Sequence, residues 1–163
     1  MNNFMNKILL RKIKSTDKKY FAHWWRDKEL LKLTSGILRR ISDKEINKYF
    51  QNLLKTKKDY HFIIILNKKT IGHISLVRRH NGWYETQIII GEKKYWGKGY
   101  GSKSIRILIR KADRLGIFKI YLEVRPTNVR AIHAYERCGF QKVKIVRYPR
   151  NRYLPKTLRM ELK

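Results

Sequence analysis

The stretch Thr86-Gln87-Ile88-Ile89-Ile90-Gly91-Glu92-Lys93-Lys94-Tyr95-Trp96-Gly97-Lys98-Gly99-Tyr100-Gly101-Ser102 decides the fold. It begins as a β-branched apolar run, which predicts a buried strand. It ends in a glycine-rich turn, Trp96 to Gly101. The next segment reads as a helix: Ile105, Leu108, Ile109, Ala112 and Leu115 recur at helix spacing, and Gly116 supplies a stop. Lys119 to Val124 then reads as another strand. Strand, turn, helix and strand in this order make a parallel crossover, so a ligand crevice is expected where the first strand feeds the turn.

Toward the C-terminus, Arg125-Pro126-Thr127-Asn128 is a break. Val129 to Cys138 predicts a helix closed by Gly139, and Phe140 to Tyr148 and Leu154 to Leu162 a last pair of strands. Toward the N-terminus, Trp83 to Ile90 completes a meander with Tyr60 to Leu66 and Thr70 to Arg79, joined through Asn67-Lys68-Lys69 and the hairpin signal Asn81-Gly82. Ser42-Asp43-Lys44-Glu45 is a capping box; the helix it opens carries Ile46, Tyr49, Phe50, Leu53 and Leu54 on one stripe. Ser15 or Thr16 is the expected cap of a helix bearing Phe21, Trp24 and Trp25. Asp27 to Leu33 is a second helical piece, broken by Ser35-Gly36, and Ile8 to Ile13 is the first strand. No repeat, low-complexity tract or linker interrupts residues 1–163, which predict a single domain of the α/β (α+β) class, a mixed sheet with helices packed on it.

Composition narrows the function classes. Of 163 residues, 40 are Lys or Arg and 12 are Asp or Glu, a net charge of +28. Such a charge has two readings: coding bias, since Lys, Ile and Asn are all abundant, or an anionic partner such as a nucleotide cofactor, RNA or an acidic substrate. Cys138 is the single cysteine, which excludes an intrachain disulfide and a cysteine-based metal site and suits a reducing cytoplasm. No metal is expected. The apolar runs are far short of the roughly 20 residues that span a bilayer, so no membrane role is expected.

Gly97-Lys98-Gly99-Tyr100-Gly101 lets the backbone turn tightly and expose bare amides. The helix start adds unpaired N–H groups and a positive dipole end, so the turn suits a phosphate, with Lys98 adding a charge and Ser102 a hydroxyl. A tight turn built for close packing is the other reading. Two familiar phosphate motifs fail. The P-loop pattern is broken because five residues separate Gly91 from Gly97 and Gly99 follows Lys98. A dinucleotide fingerprint wants glycine where Ser102 stands, and an acidic residue about 20 positions on, where the chain is basic and apolar.

A second constellation lies downstream. Asn128, Ala131 and Tyr135 share one helix face. Taken singly, Asn128 reads as a helix cap and Tyr135 as a core aromatic. Taken together, strand, Tyr95-Trp96-Gly97-Lys98-Gly99-Tyr100-Gly101, helix, strand, then Asn128-x-x-Ala131-x-x-x-Tyr135-x-x-x-Gly139-Phe140 resembles the GNAT superfamily of acyl-CoA-dependent N-acyltransferases. The branch most like it contains ribosomal-protein N-terminal and spermidine acetyltransferases; Trp96 stands where the family often has Gln or Arg.

The resemblance implies a mostly antiparallel twisted sheet of about seven strands and about four helices, splayed between the strand at 83–90 and the strand at 119–124. It implies acetyl-CoA as the cofactor, its pyrophosphate on the amides of Trp96, Gly97, Lys98, Gly99, Tyr100, Gly101 and Ser102. The pantetheine arm is then expected along Ile88, Ile89 and Ile90 and beside Asn128 and Ala131, with Tyr135 facing the sulfur as catalytic acid. For the general base we expect Glu85, with His73 next and Glu123 and Glu136 behind; an ion pair with a nearby arginine is the other reading of Glu85. The acceptor is a small-molecule or peptide amine. The positive field favours a protein N-terminus, a nucleotide-linked amino sugar or an RNA-bound amine over a polyamine. Arg147-Tyr148-Pro149-Arg150-Asn151-Arg152-Tyr153 reads either as a solvated turn or as a track for a phosphate backbone, which leaves RNA or ribosome association open. An RNA-binding or CoA-sensing protein without catalysis is the alternative.

Overall fold

The central apolar run forms β4 (Tyr84–Ile90), in the middle of a seven-stranded sheet. The computed structural model describes residues 7–34 and 38–163. The other strands are β1 (Ile8–Lys12), β2 (Tyr60–Leu66), β3 (Lys69–Arg78), β5 (Ile120–Val124), β6 (Phe140–Arg147) and β7 (Lys156–Leu162), in the order β1-β2-β3-β4-β5-β7-β6. All neighbours are antiparallel except β4 and β5, which run parallel as the crossover requires.

The described residues form five α-helices, α1 (Lys18–Trp24), α2 (Lys28–Leu33), α3 (Asp43–Lys55), α4 (Tyr100–Arg114) and α5 (Val129–Glu136), where about four were expected. α2 is the helical piece read at Asp27 to Leu33, and it stands apart from α1 because Asp27 caps it, its carboxylate accepting from the Glu29 and Leu30 amides. The break expected at Ser35-Gly36 lies outside the described residues.

Three local expectations need correction. Neither Ser15 nor Thr16 caps α1. Asp17 organises this corner instead, accepting from the Lys14 amide at 2.9 Å and from Arg11 at 2.7 and 3.0 Å. A carboxylate 1 % exposed is tolerated there because the guanidinium neutralises it, which a hydroxyl cap could not draw in. Leu115, assigned to the α4 stripe, is 47 % exposed, because the helix ends before it and Gly116 turns the chain with φ +71°. Asn81-Gly82 does adopt positive φ, but inside a wider turn closed by the Arg79 amide on the Trp83 carbonyl. The Ser42–Glu45 capping box forms as read, each partner accepting from the other's amide.

The sheet carries helices on both faces. Tyr84, Ile88, Ile90, Ile120, Leu122 and Val124 pack with Ile105, Leu108 and Ala112 of α4 and Ile132 of α5. On the other face Ile63, Ile65 and Ile89 meet Phe21, Trp24, Leu30 and Phe50 of α1, α2 and α3. Strand alternation therefore puts Glu85, Gln87, Tyr121 and Glu123 on the α1–α3 face. Gly72 is demanded by packing: a Cβ there would sit 2.1 Å from the Ile89 carbonyl oxygen. Among the described residues no helix is long and apolar enough to cross a membrane.

Candidate active site

β4 and β5 are paired at Tyr84–Ile120 and Glu85–Tyr121 and nowhere further. Beyond that point β4 stays with β3 up to Gly72–Ile90, while β5 turns to β7 through Val124–Leu158. The sheet thus opens into a V whose β4 arm, residues 86–90, lacks a strand partner on one edge. An unpaired edge offers amides and carbonyls to any extended ligand. Trp96 takes one of them, its indole donating to the Ile90 carbonyl at 2.6 Å. Backbone groups alternate along a strand, so Ile88 presents its amide and carbonyl to this open edge, whereas the Ile89 carbonyl faces β3 beside Gly72.

The glycine turn stands at the open end of the V. Gly97 and Gly99 have φ of +71° and +78°, and an added Cβ at either would meet nothing within 4 Å. Gly99 directly precedes α4, no side chain caps that helix, and its first turn closes with the Lys103 amide on the Gly99 carbonyl. The amides of Tyr100, Gly101 and Ser102 are therefore the orphan donors of a 15-residue helix. At Gly101 a Cβ would meet only Ile88 Cδ1, at 4.0 Å. These glycines front open space, not a packed neighbour, which is what a ligand cradle needs and a packing turn does not. Lys98 is exposed without an ion pair among the described residues. Arg130 lies over the Trp96 ring at 5.3 Å and adds a second cation beside the turn. The sequence held no signal for Arg130, since only the docking of α5 brings it there. The side chains of Tyr100 and Ser102 are buried, so backbone is what they offer the turn.

α5 closes the V from the helix side. Asn128 caps it, its Oδ1 accepting from the Ala131 amide at 3.3 Å, so its cap role is real and its side-chain amide remains free for a second partner. The Cys138 thiol donates to the Ser102 carbonyl at 3.5 Å and Arg106 to the Arg137 carbonyl at 3.0 Å, which pins the end of α5 to the first turns of α4. Tyr135, one turn earlier, is half-buried, its ring edge-on to Phe140 with centroids 6.1 Å apart. Its hydroxyl has no hydrogen-bond partner among the described residues, and burial pushes its pKa up to about 12.

The candidate bases separate clearly. Glu85 sits at the apex of the V and accepts from Arg79 Nε at 2.8 Å in an ion pair. Glu123, two residues past the last β4–β5 pair and on the same sheet face, accepts from the Tyr148 hydroxyl and from Thr157 Oγ1 at 2.7 Å. Burial, then Glu123, then the more distant Glu85 carry the Tyr148 phenol up to about 12, so both carboxylates act on one point. His73 is buried against Phe21, shares a 3.2 Å hydrogen bond with His61, and is depressed by burial to about 3. Such a group belongs to the core. Glu136 is tied to His133 and Lys142 on the outer face of α5. Among the described residues no group of His, Cys, Asp or Glu is arranged to hold a metal.

A splayed parallel pair and an uncapped helix start behind glycines offer a free strand edge and unpaired amides to an extended, anion-bearing ligand. The chain belongs to the acetyltransferase (GNAT) domain family, whose model matches residues 7–141. It is 23% identical over 146 residues to an aminoglycoside N(6')-acetyltransferase type 1 of Klebsiella pneumoniae, covering 82% of this chain and 69% of that one. It is 28% identical over 87 residues to an uncharacterized protein of Methanocaldococcus jannaschii, covering 51% of this chain but only 18% of that longer protein. The fold superimposes on spermidine N-acetyltransferase from Vibrio cholerae in complex with CoA and spermine with a TM-score of 0.82 at 23% identity, over 95% of this chain and 94% of the other.

Proposed function

We propose that this protein transfers an acetyl group from acetyl-CoA to a primary amine, by direct attack within a ternary complex. The observation that carries this reading is the V between β4 and β5, whose free strand edge leads to the orphan amides of α4. The amides of residues 97–102, with Lys98 and Arg130, suit the pyrophosphate, and the open β4 edge at Ile88 suits the amide-bearing arm. Asn128 and Ala131 line the other side of that arm.

Bound acetyl-CoA supplies an electrophilic thioester carbon and a thiolate leaving group. The residues of the chain handle the charges around it. An alkylammonium has a pKa of about 10.4 and must lose a proton before attack. Glu85, directly or through water, is the expected acceptor of that proton. Arg79 already occupies one of its oxygens, while Glu123 stands on the opposite arm with only hydroxyl partners among the described residues, so the two carboxylates compete for the role. A β4 amide near Ile88 donates to the oxyanion as the C–N bond forms and the C–S bond breaks. Tyr135 faces the departing sulfur. With its pKa near 12 against about 8.5 for a thiol, complete proton transfer is uphill, so Tyr135 acts chiefly as a hydrogen-bond donor to the thiolate.

Relatives named for aminoglycosides and spermidine act on cationic amines. Here the +28 charge favours an acceptor carrying or resting on an anion. A cytoplasmic setting fits the lone thiol of Cys138. The test is release of free thiol from acetyl-CoA across panels of peptides, amino sugar nucleotides and aminoacylated RNA. Turnover with one panel establishes the reaction. CoA binding without thiol release from any panel defeats it.

A further inference from the structure

On the acetyl-transfer reading above, the acceptor end of the site has two chemically opposite halves. One is the carboxylate pair of Glu85 and Glu123 at the V. The other is a cavity of about 660 Å³ between the tip of the β6–β7 hairpin and the segment ahead of α3, lined by Arg39, Arg147, Tyr148, Arg150, Asn151 and Tyr153 among others. No carboxylate lines it. Arg39 is paired with Glu45 at 2.6 Å, whereas Arg147 and Arg150 make no ion pair among the described residues. The two unpaired guanidiniums of Arg147 and Arg150 repel one another unless an anion joins them, and planar guanidinium forks match phosphate oxygens.

The hairpin tip is built, not loose. The Tyr148 amide donates to the Pro155 carbonyl at 2.7 Å, and Asn151 Oδ1 accepts from the Tyr153 and Leu154 amides at 3.1 and 3.0 Å. Arg125, from the end of β5, donates to the Tyr153 carbonyl at 3.0 Å and ties the tip to the V. Tyr148 belongs to both halves: its ring lines the cavity while its hydroxyl bonds Glu123. One tyrosine side chain therefore separates the cationic hollow from the carboxylate.

We propose that the acceptor is a primary amine tethered to a nucleoside diphosphate. Arg39, Arg147 and Arg150 hold the diphosphate, the exposed rings of Tyr148 and Tyr153 stack the base, and the amine reaches past Tyr148 to Glu123. The volume suits a ligand of nucleotide size. A polyamine would set its remaining cations on the arginines. A long RNA strand would bring a polyanion against Glu85 and Glu123, so a single nucleotide fits better.

The experiment titrates UDP into protein saturated with CoA, so that the glycine turn is already filled, and repeats it with Arg147→Ala/Arg150→Ala. Both arginines are exposed, so the variant folds; Arg147→Lys/Arg150→Lys serves as the charge-retaining control. UDP affinity is expected to fall at least about tenfold in the alanine variant and less in the lysine variant, with CoA affinity unchanged. UDP-glucosamine, which carries a free amine, is expected to release thiol with a KM that rises in parallel. No UDP binding at about 1 mM, or equal affinity in the alanine variant, overturns the proposal. So does single-stranded RNA that binds through the same arginines and is not displaced by UDP. Failure of the acetyl-transfer reading shows separately, as CoA binding without thiol release from any acceptor or as absence of CoA binding; the UDP comparison reads binding alone and still decides the arginine site.

Discussion

Gly101→Ala separates a glycine kept for a ligand from one kept for the fold. Gly101 lies in the first turn of α4 with ordinary helical φ, and its added Cβ would touch only Ile88 Cδ1, at 4.0 Å. Nothing in the folded chain resists the methyl group. A glycine in a helix costs about 0.5–1 kcal/mol relative to alanine, so the substitution should leave stability unchanged or raise it by up to that amount. For a chain this size that is a rise of roughly 2–4 °C in melting temperature. The same methyl projects among the orphan amides of residues 100–102. Losing one or two charge-assisted hydrogen bonds, at about 1.5–3 kcal/mol each, weakens binding by roughly ten- to more than a hundredfold. Calorimetric titration with CoA, beside thermal unfolding of both proteins, reads the two effects independently. An affinity within threefold of the parent, in a variant as stable as the parent, would refute the assignment of this turn as the pyrophosphate cradle.

Tyr135→Phe should lower kcat by about 10- to 100-fold with CoA affinity unchanged, since the hydroxyl serves the leaving sulfur and not the ground state; steady-state kinetics and CoA titration check both halves. Glu85→Gln and Glu123→Gln, compared in kcat/KM across pH, should show which loses the acidic limb of the profile, and that one is the base. Buried His61 and His73, both depressed by desolvation, stay neutral in the fold while the unfolded chain takes up protons below about pH 6.5. Stability therefore falls as pH drops from there toward the folded value near 3, by about 2 kcal/mol at pH 5 from His73 alone; urea unfolding at several pH values measures the slope, and His73→Gln should flatten it. Gly72→Ala, which drives a Cβ into the Ile89 carbonyl, should destabilise by about 1–3 kcal/mol or more in the same unfolding assay.

Much of this molecule was legible in one dimension because its signals are local. β2 matches its expected span residue for residue, the Ser42–Glu45 box forms, and Gly97, Gly99, Gly116 and Gly139 all take the positive φ that only glycine adopts freely. Asn128 and Tyr135 share a helix face because helical periodicity puts them there. The electrostatic partners were not legible, since an ion pair depends on which strands become neighbours. Glu85 meets Arg79 across a hairpin, and Glu123 meets Tyr148 and Thr157 only because β7 inserts between β5 and β6. Arg130 and Arg39 reach their places through helix docking and loop packing.

The order of elements, the glycine turn and the spacing from Asn128 to Tyr135 are properties of the chain itself, carried by backbone preference and helical period. Tertiary structure alone decided the point, just past Glu85–Tyr121, at which the expected splay of β4 from β5 begins, that Trp96 claims the Ile90 carbonyl, and that arginines from two distant segments ring one hollow beside a carboxylate. The reason is physical: φ and ψ preferences act between adjacent residues, whereas charge, burial and edge pairing act through space.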